Sequence, residues 1–305
     1  GLDLYSMYRS IEAVIGYLET VDPAAAEQAR KRYECFEQLG KQEQAYGLSA
    51  LTREDCRAAA VAQLESLRRE GEQYVRRNGY VAEEELFYAE QNAQLAANAE
   101  VYYRAMFSGV VSTWNLRDRH MADTLDNLMR YLGTHFAAPK IVVWEHNSHI
   151  GDARATEVSR YGEFNLGQLV RERYGERAVN IGFSTYDGTV VAAQRWGGEA
   201  QRQTLRESLE NSYGELFHGA PSTDFYLPLR GNPGLAELAR PQRLERAVGV
   251  IYAPATERTS HYFFADISRQ FDGVIHIDRT RALEPLERGP QWIEEPAPAT
   301  YARGL

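Results

Sequence analysis

Apolar positions recur at helical spacing through roughly the first 135 residues, and this predicts a run of long helices. Asp22-Pro23 is an N-cap with proline at the first helical position, opening an Ala-, Glu-, Arg- and Lys-rich helix to about Phe36. Thr52 with Asp55 resembles a capping box and precedes a long helix whose stripe is Cys56, Ala60, Leu64, Leu67 and Tyr74. An Ala-rich helix follows over 82–107, and another over 114–132. In the last of these, Trp114, Asp118, Met121, Leu125, Leu128 and Leu132 share one face, so Asp118 interrupts an apolar stripe. A carboxylate there needs a partner. A local brace with Arg117 or Arg119 and a role in a site are the two readings.

After Pro139 the pattern changes to short β-branched runs between helices. The expected strands are 140–144, 178–184, 189–193, 224–227, 248–252 and 273–277. Strands alternating with helices predict an α/β fold, a mostly parallel sheet flanked by helices, with a large N-terminal helical insertion or cap. The expected organisation is a single domain over 1–305, with the cap at 5–110 and the α/β core at 111–290. The Pro-rich stretch 294–299 reads as loose.

The run Ile141–Trp144 stops at Glu145, His146, Asn147 and His149. Ligands in open α/β sheets bind at the carboxyl ends of strands. Two imidazoles beside a carboxylate can move protons near neutral pH. The residues therefore read as base or proton relay, oxyanion donor or metal ligand, against the plainer reading of imidazoles bonded to backbone. His261 and Tyr262, with Glu257, follow the expected strand 248–252 and could line a cleft at its carboxyl end, against the plainer reading of a surface loop. His276 lies inside an apolar strand and reads as a core or sheet-edge histidine; His120 and His135 look ordinary. The zincin pattern, the Gly-x-Ser-x-Gly elbow and the phosphate loop are all absent.

Formal charge is −9, from 34 basic and 43 acidic residues, which argues against nucleic acid or an anionic membrane as the partner. No apolar run approaches the ~20 residues that span a bilayer, and no signal peptide opens the chain. The two cysteines, Cys35 and Cys56, lie in helical patterns and read as buried thiols of a cytoplasmic protein.

Four segments resemble the erythromycin esterase family, whose members include succinoglycan-biosynthesis homologues. They are Gly1-Leu-Asp-Leu-Tyr-Ser6, Trp114-Asn-Leu-Arg-Asp-Arg-His-Met121, Val143-Trp-Glu-His-Asn-Ser-His-Ile150, and Ser260-His-Tyr262 with Gln270-Phe-Asp-Gly-Val-Ile-His276. The resemblance implies hydrolysis of a carboxylic ester or lactone, in the family's name a macrolide and hence antibiotic resistance, by histidine-activated water without metal or other cofactor. It implies a small-molecule substrate and, in some relatives, fusion to a phosphoribosyltransferase domain. It places His146, His149, Glu145 and Arg119 among the catalytic groups. It places Asp3, Asn115, Asp118, Asn147, His261 and Tyr262 at the substrate. The family's main base lies in a Gly-Glu-x-x-His-Gly segment, expected upstream of Gly1. Gly214-Glu-Leu-Phe-His-Gly219 matches those letters but falls in a helical stretch late in the chain and reads as a decoy. Two alternatives stand beside hydrolysis by histidine alone. One is a metal-dependent hydrolase using His146 and His149; the other is a catalytically incomplete small-molecule-binding module.

Overall fold

The structure is a computed structural model that describes residues 1–37, 43–51, 56–78, 81–108, 112–195 and 197–283. The expected capping box at Thr52 and the stretch 294–299 lie outside them. The chain forms two compact units, Gly1–Val142 and Val143–Leu305.

The first unit is helical, as its periodicity predicts: α1 (Met7–Val21), α2 (Pro23–Glu37), α3 (Glu43–Ser49), α4 (Arg57–Asn78), α5 (Val81–Ser108) and α6 (Thr113–His135). Asp22 caps α2 by accepting from Ala24 N and Ala25 N at 3.1 and 3.0 Å, with Pro23 as the first helical residue. The small residues Ala89, Ala93, Ala96 and Ala99 are buried along α5. They let α1, α3, α4 and α6 approach it closely. Cys35 and Cys56 are joined in a disulfide with their Cα atoms 6.0 Å apart. This corrects the expectation of two free thiols: packing of α2 against α4 brings the cysteines together, which cysteine content alone does not reveal.

The second unit contains α7 (Asn147–Ile150), α8 (Leu166–Tyr174), β1 (Ile181–Ser184), β2 (Asp187–Ala192), β3 (Gln201–Leu205), α9 (Tyr213–His218) and β4 (Asp224–Pro228). It continues with α10 (Pro233–Ala239), β5 (Arg243–Arg246), α11 (Glu257–Ser260), β6 (Tyr262–Ala265), α12 (Ile267–Gln270), β7 (Gly273–Ile277) and β8 (Arg279–Thr280). The strands form three small sheets in the orders β1-β7-β4, β3-β2-β8 and β5-β6. Among the strands of the described residues, β1–β7 and β2–β8 pair in parallel, and β2–β3, β4–β7 and β5–β6 are antiparallel. The sheets are mixed, which corrects the expected mostly parallel sheet. Strand direction is set by how each connection returns, and a periodicity that marks a strand carries no direction. A core of Tyr213, Phe217, Leu229, Ile267, Phe271 and Val274 packs α9 and α12 on the first sheet.

Two expected strands do not form. Residues 140–144 have no ladder partner among the described residues, and Val142 and Trp144 are 90 % and 82 % exposed. Strand propensity is a demand for a neighbour, and none is supplied there. Residues 248–252 run as a loop held by one bridge, Tyr252 N to Ala193 O and Ala193 N to Val250 O, both 2.9 Å. Among the described residues no helix is long and apolar enough to cross a membrane.

Candidate active site

The His146–His149 turn is built from its own side chains. His146 is the N-cap of α7: its Nδ1 accepts from Ser148 N at 3.2 Å and lies 2.8 Å from Ser148 Oγ. Its Nε2 lies 3.1 Å from Val248 O. A carbonyl only accepts, so the proton sits on Nε2 and the tautomer is fixed. Burial pushes the imidazole's affinity for a proton down, the Val248 carbonyl opposes this, and His149 adds to it. His146 is therefore a neutral hydrogen-bond donor whose two ring nitrogens are both engaged. His149 follows in the last turn of α7 and, like Glu145, is half-buried.

Asn147 ties this turn to the outer edge of β1. Its Nδ2 donates to Phe183 O at 2.6 Å and its Oδ1 accepts from Phe183 N at 2.9 Å. One side-chain amide thus occupies the edge groups that a further strand would take. Trp144 lies beside Phe183, ring centroids 5.5 Å apart. Asn147 also donates to Glu245 Oε1 at 3.3 Å. Glu245, on β5, is 4 % exposed, and burial raises its pKa to about 7, against hydrogen bonds from Gln270 and Asn147.

From the other side, Asn165 Nδ2 donates to Ser148 O at 2.7 Å while Asn165 Oδ1 accepts from Gln168 N and caps α8. Gly167 sits directly beneath the turn: a Cβ there would run into the carbonyl groups of Ile150 and Gly151. Those are backbone atoms and cannot turn aside. Gly167→Ala is expected to cost about 2 kcal/mol through overpacking. Urea unfolding checks it, and an unchanged midpoint would show that the contact is not tight.

His261 and Tyr262 are brought to backbone rather than to the turn. His261 Nε2 accepts from Ala253 N at 2.9 Å, and Tyr262 Oη accepts from Leu209 N at 3.1 Å and Arg246 Nε at 2.7 Å. Glu257 is buried, with Oε1 3.2 Å from Arg246 Nε. His276 is fully buried in β7, bonded to Ser184 Oγ at 2.8 Å and Asp278 Oδ1 at 3.3 Å, as a core histidine should be. The letters Gly214–Gly219 fall on α9, which Ser212 caps, and end at the residue that closes it. A cavity of about 590 Å³ elsewhere in this unit contains none of the residues expected at the site. Its arginines and acids, among them Arg171, Arg230, Asp152 and Asp272, are paired with one another.

The remaining expected residues belong to the first unit. Asp3 takes Arg117 in a two-pronged pair, Nε to Oδ1 3.1 Å and Nη2 to Oδ2 2.6 Å. Arg117 lies over the Tyr5 ring at 4.9 Å. Burial works against its charge, but Asp3 outweighs burial and holds the guanidinium more firmly ionised. Arg117, one of the two partners expected for Asp118, is thus committed to Asp3. Asp118 is fully buried, Asn115 is half-buried, and Arg119 is exposed on the same helix. His120 is buried against Asn98, and burial lowers its pKa to about 4.

Glu245, Gln270 and Asn165 were not legible as site residues. Arg243-Leu-Glu-Arg246 reads as a charged surface run, and nothing local announces that its glutamate is buried. Among the described residues no three His, Cys, Asp or Glu side chains converge to hold a metal.

The Erythromycin esterase family description matches residues 1–280. The chain belongs to the erythromycin esterase family. It is similar to erythromycin esterase type II of Escherichia coli, 21 % identical over 181 residues, which cover 58 % of this chain and 39 % of that protein. Its fold is shared with a Bacillus cereus protein of solved structure at a TM-score of 0.75 and 19 % identity, over 92 % of this chain and 65 % of the other. A succinoglycan biosynthesis protein superimposes with TM-score 0.69 and 22 % identity, over 92 % and 64 % of the two chains. The erythromycin esterase EreC, solved as a His-to-Asn variant in its open conformation, gives 0.64 and 15 %, over 92 % and 68 %. The chain therefore spans well under half the length of the E. coli esterase and about two thirds of these solved structures.

Proposed function

We propose that this protein hydrolyses a carboxylic ester or lactone, with the His146–His149 turn as part of the catalytic machinery. Family membership supports hydrolysis at the coarse level. The observation that carries the finer reading is the locked His146 tautomer, which presents an N–H donor from a neutral ring. Water attacks the substrate carbonyl as an imidazole removes its proton. The oxygen of the tetrahedral intermediate takes a hydrogen bond from His146 Nε2 in place of Val248 O. Collapse breaks the acyl–oxygen bond, and the imidazolium returns the proton to the departing alcohol. His149, half-buried, lies one helical turn on in the same segment, and Asn147 anchors that segment to the Phe183 backbone of β1.

The test is turnover of aryl esters and macrolide lactones by the full-length protein and by His146→Ala. Loss of an oxyanion donor lowers kcat by about 10²–10³-fold, and kcat/KM should fall accordingly. Unchanged turnover would remove His146 from the mechanism.

A further inference from the structure

Glu245 and Gln270 present a polar problem that the hydrolytic scheme does not use. Their side chains are 4 % and 1 % exposed. Glu245 Oε1 accepts from Asn147 at 3.3 Å, and the Gln270 amide bonds the same carboxyl. Yet Glu245 Oε2 and Gln270 Oε1 are both buried without a hydrogen-bond partner. Two buried acceptors that lack donors are costly. One proton on the carboxyl turns an acceptor into a donor, and a rotation of the Gln270 amide presents its oxygen to that O–H.

Both neighbours of Glu245 touch the catalytic turn. Asn147 is the first residue of α7. Gln270 accepts from Asp152 N through its carbonyl at 3.0 Å, and its side chain packs against Gly151, just past the end of α7. We propose that Glu245 is a positioning residue of the hydrolytic site: in its neutral form it links Asn147 and Gln270 in one hydrogen-bond chain that fixes the His146–His149 turn against β1. This rests on the hydrolase reading for its consequence, though not for its structure.

The charged and titratable groups nearby in the fold are Arg243 and Arg246 on its own strand, Tyr262 on β6, and Tyr213 and Glu215 on α9. His146 and His149 lie on the α7 turn, and Asp266 and Arg269 at α12. Burial rather than any of these charges is what favours the proton on Glu245. Ionisation places a negative charge in this chamber and pulls the Asn147 amide away from its even hold on Phe183.

The experiment compares the full-length protein with Glu245→Gln and Glu245→Ala. Glu245→Gln, which keeps a donor, should retain kcat within about twofold at mildly acid pH and lose the fall in kcat expected of the parent above neutrality. Glu245→Ala should lower kcat at least tenfold with a smaller change in KM. An unaltered pH profile in Glu245→Gln would overturn the proposal. The side-chain amide resonances of Asn147 provide a reading that needs no turnover. They should titrate near neutral pH in the parent and stay fixed in Glu245→Gln. If no protein turns over ester but these resonances titrate as stated, the hydrolase reading fails and the hydrogen-bond chain stands. If they do not titrate, the chain fails whatever the activity.

Discussion

Glu245→Gln should stabilise the protein at about pH 8 and leave it unchanged at about pH 4. Burial raises the native carboxyl to about 7, whereas an unfolded glutamate titrates near 4.3. At about pH 4 and below, both states hold the proton and the group costs nothing. Between about pH 4 and pH 7 the unfolded chain ionises while the native one does not, so stability is lost as pH rises. Above pH 7 the full loss persists. The interval corresponds to about 4 kcal/mol. Glutamine has no proton to lose, so the variant's advantage should grow across this window and then level off, in thermal melts run at a series of pH values. An advantage independent of pH would mean that Glu245 is ionised in the native state.

Arg246→Ala should be the most damaging single change in the second unit, costing about 3–5 kcal/mol. Arg246 and Glu257 have side chains 7 % and 3 % exposed, with Nε 3.2 Å from Oε1. The same guanidinium donates to Tyr262 Oη, Tyr186 O, Arg206 O and Glu207 O at 2.7 to 3.0 Å. Truncation strands a buried carboxylate, and the cost of that unpaired charge exceeds the value of the lost bonds. Lysine cannot reproduce the fork, so Arg246→Lys should recover little. Replacing Arg246 and Glu257 together with methionine should cost less than Arg246→Ala, because no lone charge remains. Urea denaturation orders the three variants; a loss under about 1 kcal/mol for Arg246→Ala would make the pair incidental.

The helical first unit was legible because its signals are local. Asp22-Pro23 caps α2, the alanines of α5 are buried as their spacing demands, and Asp118 is buried where its stripe puts it. The strands near 178–184, 189–193, 224–227 and 273–277 were legible for the same reason, and each is present as β1, β2, β4 or β7. Residues 140–144 failed although they form a β-branched run as clear as any. A strand is completed by partners, and Val142 and Trp144 meet none among the described residues.

The sequence by itself determined the helix periods, most of the strands, the Asp22 cap, the family and the presence of two histidines around Asn147. Tertiary structure decided the direction of strand pairing, the joining of Cys35 to Cys56, the commitment of Arg117 to Asp3, the tautomer of His146 and the burial of Glu245. The division is physical. Periodicity and capping are set by residues within one or two turns of each other. Pairing direction, ion-pair choice and the desolvation of a carboxyl depend on atoms distant in sequence, such as the 102-residue separation between His146 and Val248. Only the folded chain brings those atoms together.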